Sequence, residues 1–176
     1  MSKEVSTKVI TGEVRFSYAH VFEPEAMNPG DEPKYSVQLL IDKEDTDTVE
    51  KIQAAIEAAK ELGKSTKFGG KIPVGLKVPL RDGDAERPDD ESCVGKYFIN
   101  CSSTKRPGVV DKDLNKLMDR DDFKSGDYGR ASITFYAFSV SGNKGIACGL
   151  NNLQVTRKGE ALAGGASAED DFGDIL

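Results

Sequence analysis

The chain has no run of about 18 apolar residues, and its opening MSKEVSTKVI lacks the apolar centre of an export signal. Neither a membrane span nor a cleaved leader is expected, which points to a cytoplasmic protein. Histidine occurs once and cysteine three times, as Cys93, Cys101 and Cys148. An odd number at wide spacing is no disulfide framework, so the thiols are expected to be reduced. His20 and these cysteines do not read as a zinc site either, because no closely spaced cysteine pair is present. GGKIPVG lacks the spacing of a phosphate loop. With one histidine and no Ser/His/Asp or Cys/His arrangement, nucleophilic catalysis has no machinery. No internal repeat is visible. The reading is a non-enzyme with no cofactor and no metal.

What is present begins with a divided charge. The net charge of -6 misleads, because residues 159–176 hold Glu160, Glu169, Asp170, Asp171 and Asp174 with no Lys or Arg. That segment therefore carries -5 and residues 1–158 carry -1. Within the body, residues 64–81 (KSTKFGGKIPVGLKVPLR) hold four lysines and Arg81 without an acid, and residues 143–158 hold Lys144, Arg157 and Lys158 without one. A basic face and an acidic tail share one chain.

Hydrophobic periodicity gives mostly strands. Residues 8–22 (KVITGEVRFSYAHVF) have the β-branched and aromatic content of one long strand with a bulge at Gly12, and Ile10, Val14 and Phe16 on one face. Residues 34–42 alternate, with Tyr35, Val37, Leu39 and Ile41 together. A helix follows: Asp47 and Glu50 resemble a capping box, Val49, Ile52, Ile56, Ala59 and Leu62 form its stripe, and Gly63 sits where a C-cap is expected. Residues 64–92 read as a long loop with at most one short strand at 76–80. Three further strands are expected at 95–104, 128–140 and 145–157, the last two joined by SGNKG. The total is five principal strands and one helix. The last 18 residues read as a mobile linker ending in a short motif.

Aromatics on the face opposite the core carry the functional signal. Ile133, Phe135 and Ala137 make a core face, which leaves Tyr136 and Phe138 with Ser132 and Thr134 on the other. Phe98 likewise shares its face with Lys96, Asn100 and Ser102. Exposed aromatics among hydroxyls and lysines suit base stacking, with cations following phosphates. For Tyr18, His20 and Phe22, which continue the apolar side of the first strand, core packing competes with stacking. Lys71, Lys77, Arg81, Lys105, Arg106 and Lys144 are the candidate phosphate contacts. The acids of RDGDAERPDDE (81–91) offer an alternative, a Mg-dependent nuclease or resolvase, although such sites need carboxylates fixed on rigid elements. A virion or assembly protein with no affinity for oligonucleotides is a third reading.

Seven stretches, FSYAHVFEPEA, EPKYSVQLLI, LRDGDAERPDDE, YFINCSS, PGVVDKDL, GRASITFYAF and NKGIACGLNNLQ, together resemble a bacteriophage single-stranded DNA-binding protein family over residues 8–172. The resemblance implies a mainly β chain: an OB-fold-like five-stranded Greek-key barrel with one main α-helix, long loops and a disordered acidic C-terminal tail. Residues 1–158 would be the single-stranded DNA-binding domain and residues 159–176 the flexible tail. It implies a protein that coats single strands with little sequence preference during phage replication or recombination, in the host cytoplasm. Tyr18, Phe22, Phe98, Tyr136 and Phe138 and the cations above are its expected DNA contacts. Tails of such proteins recruit replication or recombination partners, which assigns that part to Asp170, Asp171, Phe172, Asp174, Ile175 and Leu176. A homo-oligomer remains open.

Overall fold

A computed structural model of the chain describes residues 6–26, 30–118 and 122–162. The stretch expected as one strand is two, β1 (Lys8–Ile10) and β2 (Val14–Glu25). Gly12 lies in the break and donates its backbone N–H to Thr48 Oγ1 at 3.0 Å. A Cβ at Gly12 would stand 3.0 Å from both Asp45 Oδ2 and Thr48 Oγ1, so the close approach favours glycine. The break shifts the phase of the alternation. Val9 is buried and Ile10 is half exposed, so Ile10 does not share the core face of Val14 and Phe16.

The next elements are β3 (Lys34–Asp42), α1 (Thr46–Thr66), β4 (Arg81–Asp82), α2 (Gly83–Glu86) and a 3₁₀ turn at Glu91–Cys93. Then come β5 (Lys96–Ser103), β6 (Gly108–Asp111), β7 (Tyr128–Val140) and β8 (Asn143–Arg157). The β7–β8 connection is two residues, Ser141 (φ 50°) and Gly142 (φ 83°). Both lie at positive φ, as the right-handed twist of a tight hairpin demands.

Asp45 rather than Asp47 caps α1, accepting from Thr48 N at 3.3 Å. Val49, Ile52, Ile56 and Ala59 are buried as the stripe predicts, whereas Leu62 is exposed. Gly63 does not end the helix. It lies inside the last turns, where a Cβ would stand 2.4 Å from Ala137 Cβ, so it lets α1 approach β7.

β2 pairs with β3, β3 with β5, β5 with β8, β8 with β7, and β7 with β2. These are the five principal strands of the sequence reading, closed in the Greek-key order of an OB barrel. Every pair is antiparallel except β5–β8. β1 extends the sheet beside β7 and β6 beside β8.

The parallel seam has one registered pair, Ser102 with Gly149. Elsewhere along it the basic loop takes up pairing: Lys77 bridges to Gly145 of β8, and β4 pairs with β5 at Phe98 and Tyr97. Leu76 and Leu80 turn toward the core. The segment expected as a loop is thus partly a wedge in the barrel wall.

Inside, Phe16, Leu39, Ile41, Ile99, Ile133 and Phe135 are fully buried. Truncating Phe16 or Phe135 to alanine costs about 3–5 kcal/mol.

The end of β8 is tied down by a buried carboxylate. Asp127 accepts from Lys124 Nζ (2.8 Å), Lys158 Nζ (3.1 Å), Lys124 N (3.1 Å) and Gly159 N (3.1 Å). Burial pushes its pKa up, and these hydrogen bonds outweigh that and hold it below the usual carboxylate value. Beyond Asp127, Arg15 donates to Glu160 O at 2.8 Å and Leu162 N to Ser125 O at 3.0 Å. The chain therefore stays attached past residue 158, where the sequence placed a boundary, at least to Leu162. Asp170, Asp171, Phe172, Asp174, Ile175 and Leu176 lie outside the described residues.

Candidate nucleic-acid interface

A single rung crosses the outside of the barrel wall. Strand register aligns Thr134 with Gly149, Gly149 with Ser102, Ser102 with Ser36, and Ser36 with His20. Their chain neighbours Phe135, Cys148, Cys101, Val37 and Val21 belong to the core, so the rung faces out. Apart from His20 at one end, small polar residues and a glycine make it low. On its β2–β3–β5 side lies a cleft of about 780 Å³ lined by Tyr18, Ser36, Gln38, Arg87, Asn100 and Ser102, and also by Glu25, Asp31, Glu32 and Lys34.

Tyr18 is 47% exposed and sits in the register shift of β2 with φ 47°, a conformation rare for a bulky residue. The shift turns its ring out of the ladder into the cleft. His20 Nδ1 is 2.8 Å from Glu25 Oε2.

Phe98 differs from the expectation. It is on the outer face, but only 4% exposed, because Leu40, Cys93 and Leu162 pack around it. The guanidinium of Arg87 lies over the ring, 4.2 Å from its centroid. Alternation placed the side correctly and missed the cover.

At the other end of the rung Tyr136 is 47% exposed. A Cβ at Gly149 would stand 3.5 Å from its Cε1, so the ring leans over that glycine. Phe138 is half-buried, with its ring against Gly145; a Cβ there would meet Phe138 Cζ at 2.8 Å. Lys77 donates its N–H to Lys144 O, and its own carbonyl accepts from Ile146 N at 2.8 Å. Tyr136, Phe138, Lys77 and Lys144 are thereby brought onto one hairpin, with both lysines exposed.

The other predicted contacts lie elsewhere. Phe22 is half-buried and packs on the core, edge-on to Phe123 with ring centroids 6.2 Å apart. Arg106 lies over Phe22, 5.5 Å from its centroid, and donates to Met118 O at 3.4 Å. That places Phe22 in support of the barrel rather than in the cleft. Lys105 is exposed just past β5, and Lys71 is exposed on the loop after α1. Arg81 is committed to Glu86, with Nε donating at 2.9 Å and Nη2 also at 2.9 Å from the carboxylate.

Of the acids considered as metal ligands, Asp82, Asp84 and Asp90 are in structural use, while Asp89 and Glu91 are exposed. Asp82 and Asp84 both accept from Lys43 Nζ, at 2.7 and 2.8 Å, and Asp82 also caps α2. Lys43 in turn draws both carboxyl pKa values below the usual range. Asp90 caps the 3₁₀ turn through Ser92 and is lowered by the same bonds. Among the described residues no group of three or more His, Cys, Asp or Glu could hold a metal ion. Cys101 and Cys148 are buried inside the barrel with sulfurs 3.2 Å apart, far from sharing ligands with the outward His20; burial pushes the Cys148 thiol up. No helix among the described residues is long and apolar enough to cross a membrane.

Sequence reasoning missed Gln38, Arg87 and Asn100. Gln38 is 3% exposed; it accepts from Arg87 Nη1 at 3.2 Å and donates to Asn100 Oδ1 at 3.0 Å. A lone amide inside the apolar run YSVQLLI was the available signal.

An OB barrel with an open polar outer face, aromatics along it and cations at its margin has the architecture of a single-strand-binding module. The chain belongs to the family of the ssDNA-binding protein of Enterobacter phage Enc34, whose model matches residues 7–175. Protein p50 of Acyrthosiphon pisum secondary endosymbiont phage 1 is 30% identical over 175 residues, which cover 96% of this chain and 94% of p50. The Enc34 protein in its complex with ssDNA superposes with a TM-score of 0.79 at 24% identity, covering 93% of this chain and 96% of that one. Gp2.5, the single-stranded DNA-binding protein of bacteriophage T7, superposes at 0.63 with 16% identity, covering 96% and 94%. At these identities the two structures speak for the fold.

Proposed function

We propose that this chain binds single-stranded DNA without cleaving it and with little sequence preference, as a coat for strands exposed during phage replication or recombination. The observation that carries this reading is the low rung between two exposed tyrosines, Tyr18 on β2 and Tyr136 on β7. Stacking on such rings tolerates any base, because every base has a π-face. Lys77 and Lys144 beside Tyr136, with Phe138 behind them, follow the phosphates at that end; Lys105 and Lys71 are outer contacts. The solved complex of the Enc34 protein with ssDNA supports the reading by kinship. The carboxylates of Asp82, Asp84, Glu86 and Asp90 are engaged with Lys43, Arg81 and backbone N–H groups, which weighs against the nuclease alternative.

A titration of labelled oligo-dT and matching duplex across salt concentrations tests it. The single strand binds more tightly, and its log affinity falls with log salt at a slope of about -0.7 per phosphate neutralised. Equal affinity for duplex, or Mg-dependent cleavage of either, contradicts the reading.

The domain division proposed is a barrel running to Leu162 and an acidic arm from 163. The arm holds Glu169, Asp170, Asp171 and Asp174 and no cation, followed by Ile175 and Leu176. Its charge lets it compete with DNA and its apolar groups, Phe172 included, recruit replication or recombination proteins. Deleting residues 163–176 strengthens oligo-dT binding, most at low salt where screening is weak. Unchanged affinity there removes the competition and leaves recruitment to be tested by itself.

A further inference from the structure

One arginine, Arg87, lines the cleft on the β2–β3–β5 face. Arg81 and Arg157 are each bound to a carboxylate, of Glu86 and of Glu13. The guanidinium of Arg87 instead meets neutral groups, Gln38 Oε1 at 3.2 Å and the Phe98 ring at 4.2 Å. No described carboxylate forms an ion pair with it. Asp90 lies near enough to feel its charge without forming an ion pair with it, and the plane of the guanidinium is backed by an aromatic ring.

The group is also fixed in place. The backbone N–H of Arg87 donates to Gly83 O at 2.9 Å, closing α2, and Pro88 follows, which restricts the conformation of the residue before it. The amide of Gln38 has one orientation. Its oxygen accepts from Arg87, so its nitrogen donates to Asn100. Phe98 is clamped between Leu40 and Cys93 and cannot swing away. A planar cation held on a buried ring, with a cleft on its free side, is a surface made for a flat π-system.

We propose that the guanidinium of Arg87, laid on Phe98 and held by the positioning residue Gln38, is a stacking platform that takes a nucleobase of a bound single strand. The base, the guanidinium and the phenyl ring form three layers, so Phe98 contributes as the backing of the platform. This inference rests on the single-strand reading above.

The test uses the full chain and a labelled oligo-dT of about 16 nucleotides, titrated over a range of salt. Arg87→Lys keeps the charge and removes the plane. It lowers affinity by about tenfold, leaves the salt slope unchanged and keeps the wild-type unfolding temperature. Arg87→Ala loses at least as much and also flattens the slope by about 0.7. Gln38→Met, which frees the guanidinium to turn, weakens binding in the same direction with the slope unchanged. If Arg87→Lys binds as tightly as the wild type, Arg87 is a point charge and the platform is overturned while single-strand binding stands. If the wild type itself fails to bind oligo-dT, both readings fall together.

Discussion

Tyr136 on the β7–β8 hairpin and Phe98 on the β3–β5 face are the same residue class at outward positions of one barrel, yet one is 47% exposed and the other 4%. Their neighbours explain the difference. Across from Tyr136 stand Ala147 and, beside it, Gly149, which leave the ring uncovered. Across from Phe98 stands Leu40, and the insertion between β4 and β5 adds Cys93 and Arg87, while Leu162 arrives from beyond β8. Period-2 alternation decides the side of a sheet. What covers that side comes from distant parts of the chain, and it decides whether an aromatic meets solvent or becomes a second, small core.

Breaking each ring separately separates the two roles. Phe98→Ala loses a buried ring and lowers unfolding stability by about 3–5 kcal/mol, read by urea denaturation. The next effect comes through the tether that brings Leu162 over Phe98. Asp127→Asn weakens the hold on Lys158 and Gly159 and costs on the order of 2 kcal/mol. Because the folded pKa of Asp127 is lowered, its contribution is complete above the unfolded value of about 4 and is lost as pH falls through the folded value. An acid titration of stability therefore shows a smaller loss in Asp127→Asn than in the wild type.

Tyr136→Ala leaves stability within about 0.5 kcal/mol and weakens oligo-dT binding by about 1–3 kcal/mol. The smallest effect separates free from committed cations. Replacing Lys77 and Lys144 by alanine flattens the salt slope by about 0.7 for each, whereas Arg81→Ala, with Arg81 already bound to Glu86, leaves it unchanged.

These contrasts also mark what the sequence made legible. The core faces of β3 and β7 and the stripe of α1 are periodic over many residues, so Leu39, Ile133 and Ile52 could be assigned to the interior before any coordinates. The five barrel strands were legible for the same reason. The role of Gly12 and Gly63 is a close approach to a distant element, Thr48 in one case and Ala137 in the other, and no local pattern reports that. The short pairings of β4 and β6 depend on partners rather than on alternation. At the candidate site, Tyr18, Tyr136, Lys77 and Lys144 stood out by residue type and placement. Gln38, Arg87 and Asn100 did not, because their significance is a hydrogen-bonded chain assembled from three separate segments.

The central claim is that one strand path follows the rung from His20 through Ser36, Ser102 and Gly149 to Thr134, between Tyr18 and Tyr136. Backbone amide chemical shifts of the full chain, recorded before and after addition of oligo-dT, test it residue by residue. The account predicts shifts grouped at residues 18–20, 36–38, 100–102, 134–136 and 147–149. Shifts confined to α1 or to the edge strands β1 and β6, with the rung unmoved, would contradict it.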